Sequence, residues 1–491
     1  MNILYAILVV VKYTIYLLVP WVLSVLIYRV VFHPLRKYPG PFLVKLTDAY
    51  AGMYAMRRRP HLNVYRNFQK YGDNLRFYTY LLHRRKRKVV GQVISDRSLR
   101  AFSPIMSEQI NIFLQQLLQS SQRHEAVNLT PLCRNLSIDI VGYLSFGHAL
   151  NTQTESTNRF FYESMAQALY MNNLTFHWPA LSIASPLLKW LGRKKVEGFR
   201  QFIHDMIVSR MAEPKDAHPD FYSVVAGDVA ADDDADSIRA SELWGEAIFF
   251  VAAGGTTVAT AACGVFFHLS RHPATYARLA SEIRGAFASG RDIVGGPTLL
   301  ASCRYLRAVI DESLRLASPS LGTLWRTLDD SAKAPMVVDG HVIPRGTEVG
   351  MHVYSVLHNP DYYPEPFAFR PERWLGPEED GGAPDSPEKR EVRTRMRRAQ
   401  VYFGLGDRGC LGKTMAYLET SLIIAWALWY FDFEKAPGEA GMLGAGREGS
   451  KEPWGGPDQF QLRDIFIGDH DGPNLVFKPR GEHWRELMEK A

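Results

Sequence analysis

Cysteine is scarce in this chain of 491 residues. Its four cysteines, at positions 133, 263, 303 and 410, form neither a disulfide framework nor the paired motifs of a zinc site. This usage indicates a reducing compartment. A cysteine outside a disulfide is usually a buried apolar side chain, so each one needs a local reason before it is given a function.

The chain also lacks a strong charge excess. Lysine and arginine number 57 against 51 aspartates and glutamates, a net charge of +6, so a nucleic-acid partner is not indicated. A dinucleotide-binding fingerprint is missing too. Gly404 and Gly406 make a Gly-x-Gly pair, but no strand–turn–helix unit with a downstream acid surrounds it.

Charge is nearly absent from the first 32 residues. None occurs between positions 13 and 28, and Arg29 is the one charged residue from there to Phe32. A helix of about 20 apolar residues spans roughly 30 Å, enough to cross a bilayer, and no cleavage site of small residues is obvious. We therefore expect a retained transmembrane anchor over residues 1–32.

A proline-rich segment, residues 33–41, follows the anchor and cannot continue its helix. It predicts a stiff hinge between the anchor and a catalytic domain over residues 42–491. Arg29, Arg36 and Lys37 lie at or after the C-terminal end of the anchor, whereas Lys12 is the one basic residue before its uncharged centre. The positive-inside rule therefore predicts that the catalytic domain lies in the cytosol.

One cysteine has a distinctive setting. Residues 403–412 read Phe-Gly-Leu-Gly-Asp-Arg-Gly-Cys-Leu-Gly and lead into an apolar run, residues 411–431, with helical spacing. A thiolate at a helix N-terminus is stabilised by the helix dipole and by free N–H groups. Glycines allow a tight turn and close approach to a flat ligand, and Arg408 can pair with an anion. Cys410 is thus a candidate ligand; the alternative is one more buried thiol.

This stretch resembles the haem-binding loop of the cytochrome P450 family, in which the cysteine thiolate is the axial ligand of haem iron. The signature positions are Phe403, Gly406, Arg408, Cys410 and Gly412. The resemblance covers most of the chain after the anchor and is closest to membrane-anchored enzymes of filamentous fungi.

The resemblance implies a mainly α-helical fold with a smaller β portion and a haem b cofactor. Cys410 would be the iron ligand, with Phe403, Gly404 and Arg408 beside the cofactor. The implied activity is a monooxygenase that oxidises a hydrophobic small molecule in fungal secondary metabolism. Electrons would come from NADPH through a separate flavoprotein reductase, and the protein would be a single-pass protein of the endoplasmic reticulum membrane.

Three further basic residues are candidates for binding the haem propionates. His83 and Arg87 are four residues apart, which places both on one face of a helix, and they match the family's spacing. The alternative for this pair is a solvated basic helix face. Arg326, in the stretch 321–326 that should pass the haem edge, is the third candidate.

A long apolar helix is predicted from Ser241 to residue 272, and its middle contains Gly254 and Gly255. Each glycine costs a helix roughly 1 kcal/mol, which suggests close approach by a ligand or, alternatively, by a neighbouring helix. In the family a threonine here assists oxygen activation. Thr257 matches that threonine, while Thr256 occupies the position of the family's acid.

Glu312 and Arg315 lie three residues apart on a predicted helix and therefore face each other. As an exposed pair they would contribute little. The resemblance implies a buried structural network behind the haem loop in which Arg373 joins them.

One segment of the family pattern is missing. Only ten residues separate Gly72 from His83, so part of the N-terminal β region and the loop that roofs the substrate pocket have no counterpart. This leaves an impaired or non-catalytic haem-binding membrane protein as an alternative. The threonine at position 256 likewise keeps open a reductase-independent, rearranging enzyme of the same fold.

Three local patterns complete the predicted fold. Ser103-Pro104 predicts a helix start, with Ser103 as the cap and Pro104 at the first helical position. Asp339-Gly340 predicts a hairpin turn. Asp471-Gly472 predicts a second hairpin turn near the C-terminus.

Overall fold

The computed structural model describes residues 3–33, 40–71, 96–148, 150–214, 216–218, 220, 222–223, 240–295, 297–328, 334–377, 379 and 385–489. The described helices, α1 to α16 in chain order, are Ile3–Ile27, Phe42–Leu46, Ala49–Met56, Pro60–Tyr71, Asp96–Gln122, Leu129–Phe146, Phe160–His177, Ser185–Met211, Ala240–Leu269, Pro273–Ala286, Asp292–Gly295, Pro297–Ser302, Arg304–Leu316, Val353–Leu357, Pro387–Arg398 and Lys413–Tyr430. The described strands, β1 to β9, are Val127–Asn128, Thr323–Thr327, Met336–Val338, His341–Ile343, Glu348–His352, Phe431–Lys435, Arg463–Asp464, Gly468–Asp469 and Asn474–Pro479.

The chain forms two compact units, and the first comprises Met1–Leu81, Asn172–Ser185 and Thr323–His352. Helix α1 begins this unit and continues as a turn of π-helix, Tyr28–Phe32. The segment Val11–Phe32 has a mean hydropathy of 2.1 and buries none of its residues. An unburied apolar helix of this length is a candidate membrane anchor.

The first unit also contains two antiparallel strand pairs. Strands β2 and β5 pair with Arg326 opposite Val349, and β3 pairs with β4. The turn of the β3–β4 hairpin is Asp339-Gly340, with φ of 48° and 74°. Positive φ at both central residues is the geometry of a type I′ turn, so the hairpin prediction is confirmed.

The second unit comprises Leu82–Met171, Pro186–Gly322 and Val353–Ala491. Its central helix is α9, of which the apolar segment Phe249–Leu269 is 72% buried, as expected for a core helix. Helix α9 packs against α6, α13 and α16. A three-stranded antiparallel sheet with the order β1-β9-β6 lies in the same unit.

The predicted helix start at Ser103 is wrong. Helix α5 begins at Asp96 and carries Pro104 inside it. Phe102 and Met106 are fully buried, one turn apart on either side of the proline. Their burial outweighs the loss of one backbone hydrogen bond, so tertiary packing overrides the local signal.

The predicted turn at Asp471-Gly472 is also wrong. The short hairpin of this region pairs β7 with β8 and turns earlier, around Phe466, where Asp464 Oδ1 accepts a hydrogen bond from the Phe466 amide at 3.1 Å. Gly472 instead leads into β9, which pairs with β6 and β1. Strand β9 buries Leu475 and Phe477, so it belongs to the core sheet with β6 and β1 and not to a local hairpin.

Candidate functional site

Cys410 lies in a tight loop whose shape comes from the backbone. Gly404 and Gly406 have φ of 67° and 61°, in the left-handed region that favours glycine. The Cys410 amide donates to the Phe403 carbonyl at 2.6 Å, and the Gly409 amide donates to the Gly406 carbonyl at 2.9 Å. The Cys410 side chain is exposed, whereas the other three cysteines are buried.

Helix α16 starts directly after this loop. Its first residue is Lys413 and its N-cap is Gly412, two residues later than the apolar run at Leu411 predicts. Cys410 therefore stands beside the positive end of the helix dipole. The Lys413 ammonium lies 5.8 Å from the centre of the Phe403 ring. The loop is thus a setting that stabilises an anionic sulfur.

A buried carboxylate holds both sides of the loop. The hydroxyl of Tyr402, just before the loop, donates to Asp311 Oδ1 at 2.7 Å, and the hydroxyl of Tyr417, on α16, donates to the same oxygen. Arg307 Nε lies 3.0 Å from Asp311 Oδ2. Burial raises the pKa of the Tyr402 phenol, which keeps it a donor. Sequence reasoning missed this cluster, whose one local signal is the i,i+4 spacing of Arg307 and Asp311.

The next residue along α13, Glu312, is the centre of a second buried cluster. Glu312 and Arg315 have no exposed side-chain surface, and Arg315 donates to both carboxylate oxygens, at 3.0 and 2.9 Å. Arg373 Nε donates to Glu312 Oε1 at 3.0 Å, and the Trp374 indole donates to Oε2 at 2.9 Å. The structure thus brings Glu312, Arg315 and Arg373 together, with Trp374 as a partner that sequence reasoning missed.

Electrostatics keeps this cluster ionised. Burial alone would raise the pKa of Glu312, but the Arg315 and Arg373 guanidinium groups outweigh it and hold that pKa below its usual range. The remaining N–H groups of Arg315 donate hydrogen bonds to backbone carbonyls: those of Leu357 at 2.9 Å, Pro366 at 2.6 Å and Ala368 at 3.2 Å. A buried ion group is tolerated when its hydrogen bonds are satisfied in this way.

Helix α9 has one packed face and one open face near its middle. A Cβ at Gly254 would lie 2.8 Å from Val141 Cγ2, and a Cβ at Gly255 would lie 3.1 Å from Ile138 Cγ1. Both glycines therefore serve close packing against α6, the alternative that the sequence left open. Phe249 and Ala253 are exposed, and Thr257, one turn further, continues that face.

The two threonines of the helix differ in setting. Thr256 is buried, and its hydroxyl donates to the Ala252 carbonyl at 3.3 Å. Thr257 is partly exposed, and its hydroxyl donates to the Ala253 carbonyl at 2.6 Å. Such i−4 bonds satisfy a hydroxyl within its own helix.

A sequence model of one family, cytochrome P450, matches residues 50–442, about four-fifths of the chain and all of the elements just described from α4 to α16. The chain belongs to the cytochrome P450 family. It is a monooxygenase with a haem-iron cofactor, and the expected mainly α-helical fold with few strands is confirmed.

Curated relatives cover nearly the whole of this P450. Cytochrome P450 monooxygenase AKT7 of Alternaria alternata is 30% identical over 516 residues, which cover 94% of this chain and 96% of the relative. Cytochrome P450 monooxygenase poxM of Penicillium oxalicum is 29% identical, with 93% of each chain covered. Cytochrome P450 monooxygenase atnE of Emericella nidulans is 28% identical, with 92% and 93% covered.

Three of the predicted cofactor contacts are not among the described residues of the unit that contains Cys410. His83 and Arg87, with the short connection that follows Gly72, lie outside the described residues. Arg326 belongs to the first unit, on β2, where its Nη1 donates to the Trp325 carbonyl at 2.6 Å. The alignment with AKT7 extends over 516 positions, more than the 491 residues of this P450, so the relative contains residues that this chain lacks.

The residues around Cys410 fit a haem group. The sulfur is exposed, and a Cβ built at Gly406 would meet nothing within 4 Å, so the loop surface is open to a flat ligand. Arg408, partly buried in the same loop, supplies a cation for a carboxylate. Cysteine thiolate is an established haem ligand of P450 enzymes.

Proposed function

We propose that Cys410 is the axial thiolate of the haem iron in this monooxygenase. The observation that carries the proposal is the contrast among its cysteines: Cys410 is exposed in a glycine-shaped loop before a helix, while Cys133, Cys263 and Cys303 are buried. Bound there, haem supplies the activation of O₂, since an axial thiolate pushes electron density towards the iron and favours O–O cleavage.

The chain's own residues hold and surround this group. Phe403 and Gly404 would contact the haem from the Cys410 loop, and Arg408 would pair with a propionate. The family resemblance implies further propionate contacts at His83, Arg87 and Arg326, of which only Arg326 is among the described residues. Glu312, Arg315 and Arg373 have a structural role, because their network holds the backbone between residues 364 and 370.

Thr257, on the open face of α9, takes part in proton delivery. Its Oγ1 donates to Ala253 O, which leaves the hydroxyl lone pairs to accept a hydrogen bond from water. A water held there can pass its proton towards the reacting oxygen. Thr256 is buried where the family has an acid, so we assign it a positioning role through the helix backbone.

The remaining assignments follow from the exposed apolar surface and the anchor. Phe249 is exposed on α9, about two turns before Thr257, which suits a hydrophobic substrate, here a fungal secondary metabolite. Because the chain has no dinucleotide fingerprint, its electrons come from NADPH through a membrane-bound reductase. Helix α1 holds the enzyme as a single-pass protein in the endoplasmic reticulum membrane, with the catalytic part in the cytosol.

The test is spectroscopic. The reduced, carbon-monoxide-bound protein should absorb at the long-wavelength position typical of thiolate ligation, and Cys410→Ser should remove that band. Cys303→Ser, at a buried cysteine of the same unit, is the matched control and should keep it. A Cys410→Ser protein that retains the band would refute the assignment.

The same preparations separate catalysis from simple haem binding. With reductase, NADPH consumption should yield product, and Thr257→Ala should lower the ratio of product to NADPH while releasing more peroxide. Thr257→Ser, which keeps the hydroxyl, should restore much of that ratio. Product formation without reductase or NADPH would instead favour a rearranging enzyme.

A further inference from the structure

Two histidines and a glutamate meet in the second unit, outside every residue assigned to the haem. His148 follows α6, whereas Glu213 and His218 follow α8. His148 Nε2 lies 3.5 Å from Glu213 Oε1, and His218 Nε2 lies 2.8 Å from Glu213 Oε2. One ligand atom from each of the three residues lies within 4.8 Å of the other two. The cluster therefore joins two segments that are distant in sequence.

The polar atoms of this cluster are incompletely satisfied. The three side chains are about one-third exposed, between 30% and 36%. His148 Nε2 and Glu213 Oε2 are nevertheless shielded from solvent, and neither makes an aligned hydrogen bond within the described part of the chain. Shielded polar atoms without hydrogen bonds are unfavourable. An ion coordinated by both would remove that cost.

A buried ion pair shapes the segment after α8 independently of any metal. Arg210 and Asp220 are almost fully buried, and Arg210 donates to Asp220 through Nε and through Nη2, the latter at 3.2 Å. Arg210 Nη1 also donates to the Pro214 carbonyl at 3.1 Å. These contacts fix residues before and after Glu213 and His218 in the sequence. The two candidate ligands are therefore positioned before any metal binds.

The other side of the cluster depends on a glycine. Gly147, which ends α6, has φ of 69°, a conformation that favours glycine. A Cβ at this position would lie 2.6 Å from Asp220 Oδ2 and 2.8 Å from the His218 ring. Only a residue without a side chain lets the two segments approach this closely, and His148 is the next residue in the chain.

We propose that His148, Glu213 and His218 bind a divalent transition-metal ion of the Zn²⁺ class, which clasps the segment after α6 to the segment after α8. Two imidazoles and one carboxylate, with water in the fourth position, form an established zinc donor set, whereas Mg²⁺ and Ca²⁺ prefer oxygen ligands. Ligand atoms about 2.1 Å from a tetrahedral ion are about 3.4 Å apart. The most distant pair here has to close by at most about 1.4 Å, which side-chain rotation can supply.

The test is a zinc titration of the full-length haem protein, made without a histidine tag and dialysed against a chelator. In competition with a chromogenic chelator, the protein should take up one equivalent of Zn²⁺. The thermal midpoint should rise with free Zn²⁺, because an ion that binds the folded state stabilises it. His148→Ala and His218→Ala should each weaken binding by more than the roughly 10–100-fold caused by loss of an outer-shell partner.

His204→Ala is the matched control. His204 lies on α8 beside Asp205, with Nδ1 3.4 Å from Oδ1, and forms no three-ligand cluster among the described residues. It should bind zinc like the wild type. The carbon-monoxide band, measured first, shows that each variant still holds its haem. The absence of a stoichiometric Zn²⁺ site, wild-type affinity in both cluster variants, or loss of binding in His204→Ala would each overturn the proposal.

Discussion

The Glu312 cluster is centred on α13, and the Cys410 loop is flanked by tyrosines that bind Asp311 of the same helix. The two regions are stabilised in opposite ways. The loop takes its shape from left-handed glycines and short backbone hydrogen bonds, and its cysteine side chain stays exposed. The Glu312 cluster takes its shape from charged side chains that are buried and hydrogen-bonded to one another. One region exposes its cysteine side chain, and the other buries its charged side chains against one another.

This difference separates a ligand site from its support. A side chain that binds a cofactor has to stay accessible and cannot be held by full burial, so backbone geometry positions it instead. A support has no such restriction, and a fully satisfied charge network gives it rigidity. Helix α13 serves both regions, because Asp311 holds the tyrosines around the loop and Glu312 holds Arg373.

The largest expected effect comes from breaking the support. Glu312→Gln leaves the Arg315 and Arg373 guanidinium groups buried without a counter-charge, which should cost about 3–5 kcal/mol of unfolding free energy. The free energy of unfolding, measured with denaturant, and the haem content per chain should both fall.

The control for this substitution is an exposed ion pair of the same unit. Arg284 Nη2 lies 2.7 Å from Asp432 Oδ1, and Asp432 is half exposed. Asp432→Asn should cost at most about 1 kcal/mol. If Glu312→Gln and Asp432→Asn were equally stable, the buried cluster would not be the support described here.

A second buried carboxyl, Glu419 on α16, sharpens the comparison. In place of guanidinium groups it has the hydroxyl of Ser137, which donates to Oε1 at 3.3 Å. Burial therefore raises the pKa of Glu419 to about 8. The folded state keeps a proton that the unfolded state has released, so stability should decline as pH rises from about 4.5 to about 8.

Thermal unfolding across this pH range tests the point. Glu419→Gln cannot ionise, so its stability should decline less steeply with rising pH than that of the wild type. Glu439→Gln, at an exposed glutamate, should leave the wild-type slope unchanged. Equal slopes for the Glu419 and Glu439 variants would mean that Glu419 is ionised in the folded protein.

The parts of the site that sequence could predict are local. The order of glycines, arginine and cysteine in residues 403–412 indicated both the turn and the following helix, because φ preference and helix polarity act over a few residues. The helical pairing of Glu312 with Arg315 follows from three-residue spacing alone. Arg373 came from the family resemblance, since no local rule joins residues 58 positions apart.

The sequence predictions that failed, and the residues that were missed, depend on tertiary contacts. Pro104 looked like a helix start until the burial of Phe102 and Met106 was known. The role of Gly254 and Gly255 depended on which helix faces them, which spacing cannot tell. The Asp311 cluster draws on three separate segments, and its tyrosines carried no pattern that distinguished them from core aromatics.

The smallest expected effect tests the loop side of the comparison. At Gly406 the space around a Cβ is open within 4 Å, but φ is 61°, so Gly406→Ala pays only the conformational cost of a left-handed alanine, about 1–2 kcal/mol. Gly285, in α10, also has open space and no left-handed φ, and Gly285→Ala should instead stabilise its helix by up to about 1 kcal/mol. Denaturant midpoints should therefore move in opposite directions, and only Gly406→Ala should lower the amplitude of the carbon-monoxide band, because only it disturbs the backbone that positions Cys410. If the two alanine variants behaved alike in both measurements, the loop would owe its shape to its side chains after all.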